Sequence, residues 1–174
     1  MTIRLAGYPP IFGDSWTEWE QNGTMLAIVD SVAGQGSRLF CPDRTGGYFC
    51  VAYAYSGLPI LIAEIGNPPA DKVERYLTFA QEKAKRLAEN PDHKSSWQSR
   101  DETKDQWGGA IRAGRYILSF SGFPELVDEA VMLLTALKWD KRFGGYNGDA
   151  IHQDVDEAAK ASNNPHFAEL LAVY

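Results

Sequence analysis

The chain is poor in the residues that do covalent, redox or metal chemistry. Among 174 residues there are two cysteines, Cys41 and Cys50, and three histidines, His93, His152 and His166. No CxxC is present and no histidine lies near either cysteine, so a zinc or iron–sulfur site is not expected. GxSxG, HExxH, Walker A and GxGxxG motifs are all absent, and Gly34-Gln35-Gly36 alone carries no weight. No apolar run approaches the roughly 18 residues of a membrane span, and MTIRLAGYPP has no apolar core of a signal peptide. Excess positive charge is missing too. Seventeen basic against 23 acidic residues leave a net charge of −6, which argues against nucleic acid and against an anionic membrane surface. A reducing, cytoplasmic setting with free thiols follows, although a disulfide across a hairpin joining Cys41 and Cys50 stays open as an alternative.

What is present suits one globular domain over residues 1–174. Apolar residues make up 44% and charged residues 23%, enough apolar surface for a core and ordinary for a folded protein. Residues 1–23 hold Tyr8, Pro9, Pro10, Phe12, Trp16 and Trp19 and read as an aromatic N-terminal arm. Residues 24–138 read as an α+β core and 139–174 as a short helical tail. Within the core, the runs 25–29, 38–41, 48–55 and 59–65 are rich in β-formers and separated by turn residues, so they predict strands of an antiparallel meander. Asn67-Pro68-Pro69-Ala70-Asp71 opens a helix whose apolar positions, Val73, Tyr76, Leu77, Ala80, Ala84 and Leu87, recur every three to four residues. The basic residues Lys83, Lys85 and Arg86, and likewise Lys138, Lys141 and Arg142, fall in the last turns of predicted helices, where cations suit the macrodipole.

Residues 91–106 form a polar loop, long enough to act as a lid. A hairpin over 107–120 follows, and Ser121-Gly122-Phe123-Pro124-Glu125 opens a second helix that is apolar almost all round. The expected fold class is α+β: an antiparallel sheet of about five to six strands with two main helices packed on one face, a profilin-like layout.

The stretch 107–133 also carries a resemblance. Gly108, Gly109, Ile111, Gly114, Ile117, Ser121, Gly122, Asp128, Glu129 and Ala130 form a Gly-Gly pair, a hairpin, a Ser-Gly turn and an acidic helix start. In this it resembles the GlcG-like family of small bacterial proteins, which includes haem-binding members. The resemblance spans residues 70–138 and implies haem or another tetrapyrrole as a ligand. The chain departs from the family, which begins with a helix, by its expected arm and leading strands and by its tail after the second helix. It carries over no haem ligand, since no His or Cys lies in the matched motif.

Physical reasoning on the same stretch points to a ligand site. Free amides at Ser121, Gly122 and Phe123 at a helix start attract an anion, Gly108 and Gly109 admit a ligand close to the backbone, Trp97 and Trp107 offer flat surface, and Arg100 offers charge. The plainer alternative makes Ser121 a cap and the glycines part of a bulge. Elsewhere, His152 with Asp149, Asp154 and Asp156 reads as a solvated helix start, and Glu64 and Asp30 as strand-end acids. The leading expectation is therefore a binding domain for a partly apolar anionic small molecule, with catalytic residues and cofactor unassigned. A protein partner is the second: assembly, including with further copies of the chain, through an exposed strand edge and the arm. A small hydrolase or isomerase is the third.

Overall fold

The computed structural model describes residues 3–4, 16–143 and 148–174, with side chains for 23–141 and 151–174. The arm residues 5–15 and the glycine-rich break at 144–147 lie outside the described residues.

The elements run β1 (Ile3–Arg4), α1 (Trp16–Phe40), β2 (Gly46–Tyr53), β3 (Pro59–Gly66), α2 (Val73–Glu89), β4 (Ala110–Ala113), β5 (Tyr116–Ser121), α3 (Glu125–Phe143), α4 (Gly148–Ser162) and α5 (Pro165–Ala172). The class is α+β with an antiparallel sheet. Strands β2–β5, of four to eight residues, form its body, and the two-residue β1 pairs beside β3, giving the order β1-β3-β2-β5-β4.

Two expectations are corrected. The runs 25–29 and 38–40 are not strands but parts of the 25-residue α1, which also takes in Trp16 and Trp19 of the expected arm, and Cys41 follows the end of the helix. Its buried positions, Met25, Leu26, Val29, Val32, Ala33 and Gly36, follow a helical period. A short apolar run such as Met25–Val29 suits a strand or a buried helix equally, and only its partner decides. Gly36, read as a breaker, is the point where α1 approaches α3: a Cβ there would stand 3.0 Å from Val131 Cγ2.

The second correction concerns the layers, since helices cover both faces of the sheet. Tyr48, Cys50, Ala52, Ile62, Ala110 and Ile117 meet Tyr76, Ala80, Ala84 and Leu87 of α2. Phe49, Val51, Leu61, Ala63, Ile65, Ile111, Leu118 and Phe120 meet α1 and α3 on the other face. Strands enclosed this way need apolar residues at successive positions, which is what Tyr48-Phe49-Cys50-Val51-Ala52 provides. The tail joins this core as well, through Ile151, Val155, Ala158 and Leu170.

Cys41 and Cys50 are free, buried thiols in the two separate apolar clusters. Burial pushes their pKa values up to about 11 and about 12. Among the described residues no helix is long and apolar enough to cross a membrane.

Candidate functional site

The fold does gather the residues expected to form a site, around the first turn of α3. Three successive acidic functions organise them. Glu125 accepts from Arg100 Nε at 2.7 Å and from the Gly108 amide at 2.8 Å. Arg100 also donates to Glu102 at 2.5 Å and lies over the rings of Trp97 and Trp107, 5.0 and 5.4 Å from their centroids. Its hydrogen bonds to Glu125 and Glu102 stabilise its charged form and raise its pKa.

One turn further, Asp128 accepts the Phe123 amide at 2.9 Å and the Lys83 ammonium at 2.8 Å. Lys83 donates in addition to the Phe120 carbonyl at 2.9 Å. Lys83 and Asp128 are 2% and 1% exposed, a fully desolvated ion pair joining α2 to α3. Desolvation outweighs the attraction of Lys83 and lifts the Asp128 pKa to about 6. Gly109, at φ 114°, makes room for the pair: a Cβ there would sit 2.8 Å from both Asp128 Cβ and Lys83 Nζ. Glu129 next to it accepts from Ser95 and, at 2.8 Å, from Asn164 Nδ2. Its pKa is raised, burial being the main cause.

The geometry leaves the helix start little to offer a guest. The amides of Phe123 and Gly108 already have carboxylate acceptors. Ser121 is buried, and a Cβ on Gly122 would meet Gly46 O at 2.5 Å. Arg100 has two carboxylates of its own.

The 91–106 loop is tied down as well. Arg86 donates to the carbonyls of Ser96, Ser99 and Trp107. Arg112 donates to those of His93, Ala54, Leu87 and Asn90. Ser95 and Gln98 close a reciprocal cap on the turn Ser96–Ser99. A loop held by two buried guanidinium groups is a structural clamp. Lys83 and Arg86 therefore do far more than complement a helix dipole. Apart from Glu82, one turn before Arg86, their partners lie 10 to 45 residues away in sequence, and spacing alone carries no signal for that.

Several of the remaining acids and histidines have partners of their own. Tyr48 Oη donates to Glu64 at 2.7 Å, and Asp30 is exposed on α1. Asp154 takes Lys94 and the Gly114 amide, and His152 lies 3.5 Å from Asp140. The side chain of Asp149 is outside the described residues. No group of three or more His, Cys, Asp or Glu among the described residues is placed to hold a metal.

An open concave surface exists elsewhere. Gly23, Thr24, Ala27, Ile28 and Ser31 lie on one face of α1, and with Lys138 and Tyr174 they line a groove of about 470 Å³. The lining is mostly apolar carbon. Tyr174 Oη and Ser31 Oγ are hydrogen-bonded, and Lys138 Nζ stands 4.1 Å from the Tyr174 ring centroid. Lys138 has no carboxylate partner among the described residues. Sequence reading missed this groove because residues 25–29 were read as a strand. On a helix, the spacing 23, 24, 27, 28, 31 defines one face.

No family model matches the chain, and no curated protein or solved structure matches it.

Proposed function

We propose that the chain is a cytoplasmic, non-catalytic or weakly catalytic binding domain of profilin-like layout for a partly apolar anionic small molecule, held in the groove along α1. The observation that carries this reading is the groove itself: an apolar trough whose single cation, Lys138, has no acidic partner among the described residues. Apolar lining favours burial of carbon, and one unneutralised ammonium at the rim favours an anion over a neutral molecule. The buried ionisable groups at the start of α3 are matched to one another, which suits a structural seam better than an acid–base centre.

The GlcG-like resemblance makes haem or another tetrapyrrole a reasonable probe. The described lining residues include no His, Cys or Met, and the hydroxyl of Tyr174, the remaining group that can bond a haem iron, is hydrogen-bonded to Ser31, so amphiphilic organic anions rank ahead of haem. Assembly through a strand edge has less to draw on. The amides of Ala110 and Arg112 on the edge strand β4 are taken by Ser96 Oγ and Lys94 O, and β1 pairs beside β3.

The test is a fluorescence titration with anilinonaphthalene sulfonate, a partly apolar anion, on the full chain and on Ala27→Trp and Thr24→Trp, which fill the groove from an exposed helix face. Saturable one-to-one binding that both variants weaken at least about ten-fold, near 1.4 kcal/mol, supports the reading. Equal binding by wild type and both variants, with unchanged circular dichroism, removes it.

A further inference from the structure

Resting on that reading, we infer that the groove is shaped for a medium-chain alkyl carboxylate, its head at Lys138, Ser31 and Tyr174 and its tail running along α1 towards Gly23. The polarity of the groove is graded along its length. Ser31 Oγ, Tyr174 Oη and Lys138 Nζ are its polar functions at one end. Ile28 and Ala27 follow one turn back, then Thr24 and Gly23 a turn further. A carboxylate set at the Ser31 end meets one ammonium and the hydroxyl proton that the Tyr174–Ser31 hydrogen bond leaves free, and a chain leaving it finds a methyl, a branched aliphatic side chain, the Thr24 side chain and bare helix backbone.

The lining also selects the shape of the tail. Ala27 and Gly23 give a narrow floor with no bulk, and Tyr174 is the one aromatic ring among the described lining residues, with Lys138 over one of its faces. A flat polycyclic ligand finds little aromatic surface to stack on among the described residues, whereas a flexible chain needs only a trough of chain width. One cation matches one carboxylate and leaves a second unmet. Length follows from helix geometry. From Ser31 back to Gly23 is eight residues, about 12 Å along the axis. An extended alkyl chain advances roughly 1.25 Å per carbon, from bonds near 1.5 Å at tetrahedral angles, so eight to ten carbons span the trough. A Cβ added at Gly23 would meet nothing within 4 Å among the described residues, so further carbons gain no contact from them at the far end.

Displacement of anilinonaphthalene sulfonate by hexanoate, octanoate, decanoate and dodecanoate, each kept below its micelle concentration, tests this. The dissociation constant should fall about two- to four-fold per added methylene up to decanoate and then level off. Lys138→Met should weaken decanoate about ten-fold, the scale of one charge-assisted contact, and leave decanol unchanged. A constant indifferent to chain length, a rise in affinity continuing undiminished to dodecanoate, or a Lys138→Met protein that binds decanoate as wild type does, overturns the assignment. If the dye binds and the groove-filling variants block it while none of the four carboxylates displaces it, the groove reading stands and the carboxylate assignment falls. If neither dye nor carboxylate binds, both fall.

Discussion

Replacing Lys83 by methionine keeps most of the side-chain volume and removes the only cation among the described residues within hydrogen-bonding distance of Asp128. The aspartate stays buried, with the Phe123 amide as its remaining partner. Breaking a buried ion pair from one side costs about 3–5 kcal/mol, because the charge left behind has neither water nor partner. Spread over a domain of this size, that loss lowers Tm by roughly 6–20 °C. Removing both charges is a different perturbation. In Lys83→Met/Asp128→Asn the asparagine oxygen can still accept from Phe123, nothing charged is buried, and the double variant should recover to within about 1 kcal/mol of wild type.

The pH dependence has a definite sign. Asp128 holds its proton more tightly in the folded state, at about 6, than in the unfolded chain near 3.8. Its contribution to stability is therefore full below pH 3.8 and is lost as pH rises through 6. Without Lys83 the carboxyl protonates at still higher pH, so the single variant should be penalised much less at pH 5 than at pH 8. Urea unfolding followed by tryptophan fluorescence at both pH values gives all four corners of the cycle. A double variant no more stable than Lys83→Met, or a penalty equal at pH 5 and pH 8, refutes the reasoning.

Other positions give independent tests. Arg112→Lys keeps the charge but cannot span the carbonyls of His93, Ala54, Leu87 and Asn90, and should cost about 2–4 kcal/mol by leaving buried acceptors unmet; a loss under 0.5 kcal/mol in urea melts contradicts the clamp. Glu129→Ala should raise hydrogen exchange together in residues 93–99 and 163–168, since one carboxylate holds Ser95 and Asn164; a rise in one segment alone argues against a shared anchor. Cys41 and Cys50, buried with raised pKa values, should react with Ellman's reagent at pH 8 only as fast as the chain opens, and rapid modification of the native protein contradicts their placement.

The sequence by itself determined the elements whose pattern is local. Helix α2 follows from its apolar period and its Pro-Pro-Ala-Asp start, and β2 and β3 follow from β-formers between turn residues. The hairpin at Gly114, which takes the positive φ of 62° that glycine tolerates best, is local as well. Even the crowding of Trp97, Arg100, Trp107, Gly108 and Phe123 at the start of α3 was visible as a single stretch of chain.

Tertiary structure decided the rest, because the deciding partners are distant. Met25–Val29 became helix because α3 lay against it at Gly36. Glu125 and Asp128, which look like first-turn acids, became buried anchors because Arg100 and Lys83 reach them across 25 and 45 residues. The same contacts occupied the donors that made the stretch look like a ligand site. An amphipathic period records which face of an element is dry, but not what lies on it. A groove that exists only where α1, α3 and the last residue meet leaves no mark on any one segment of the chain.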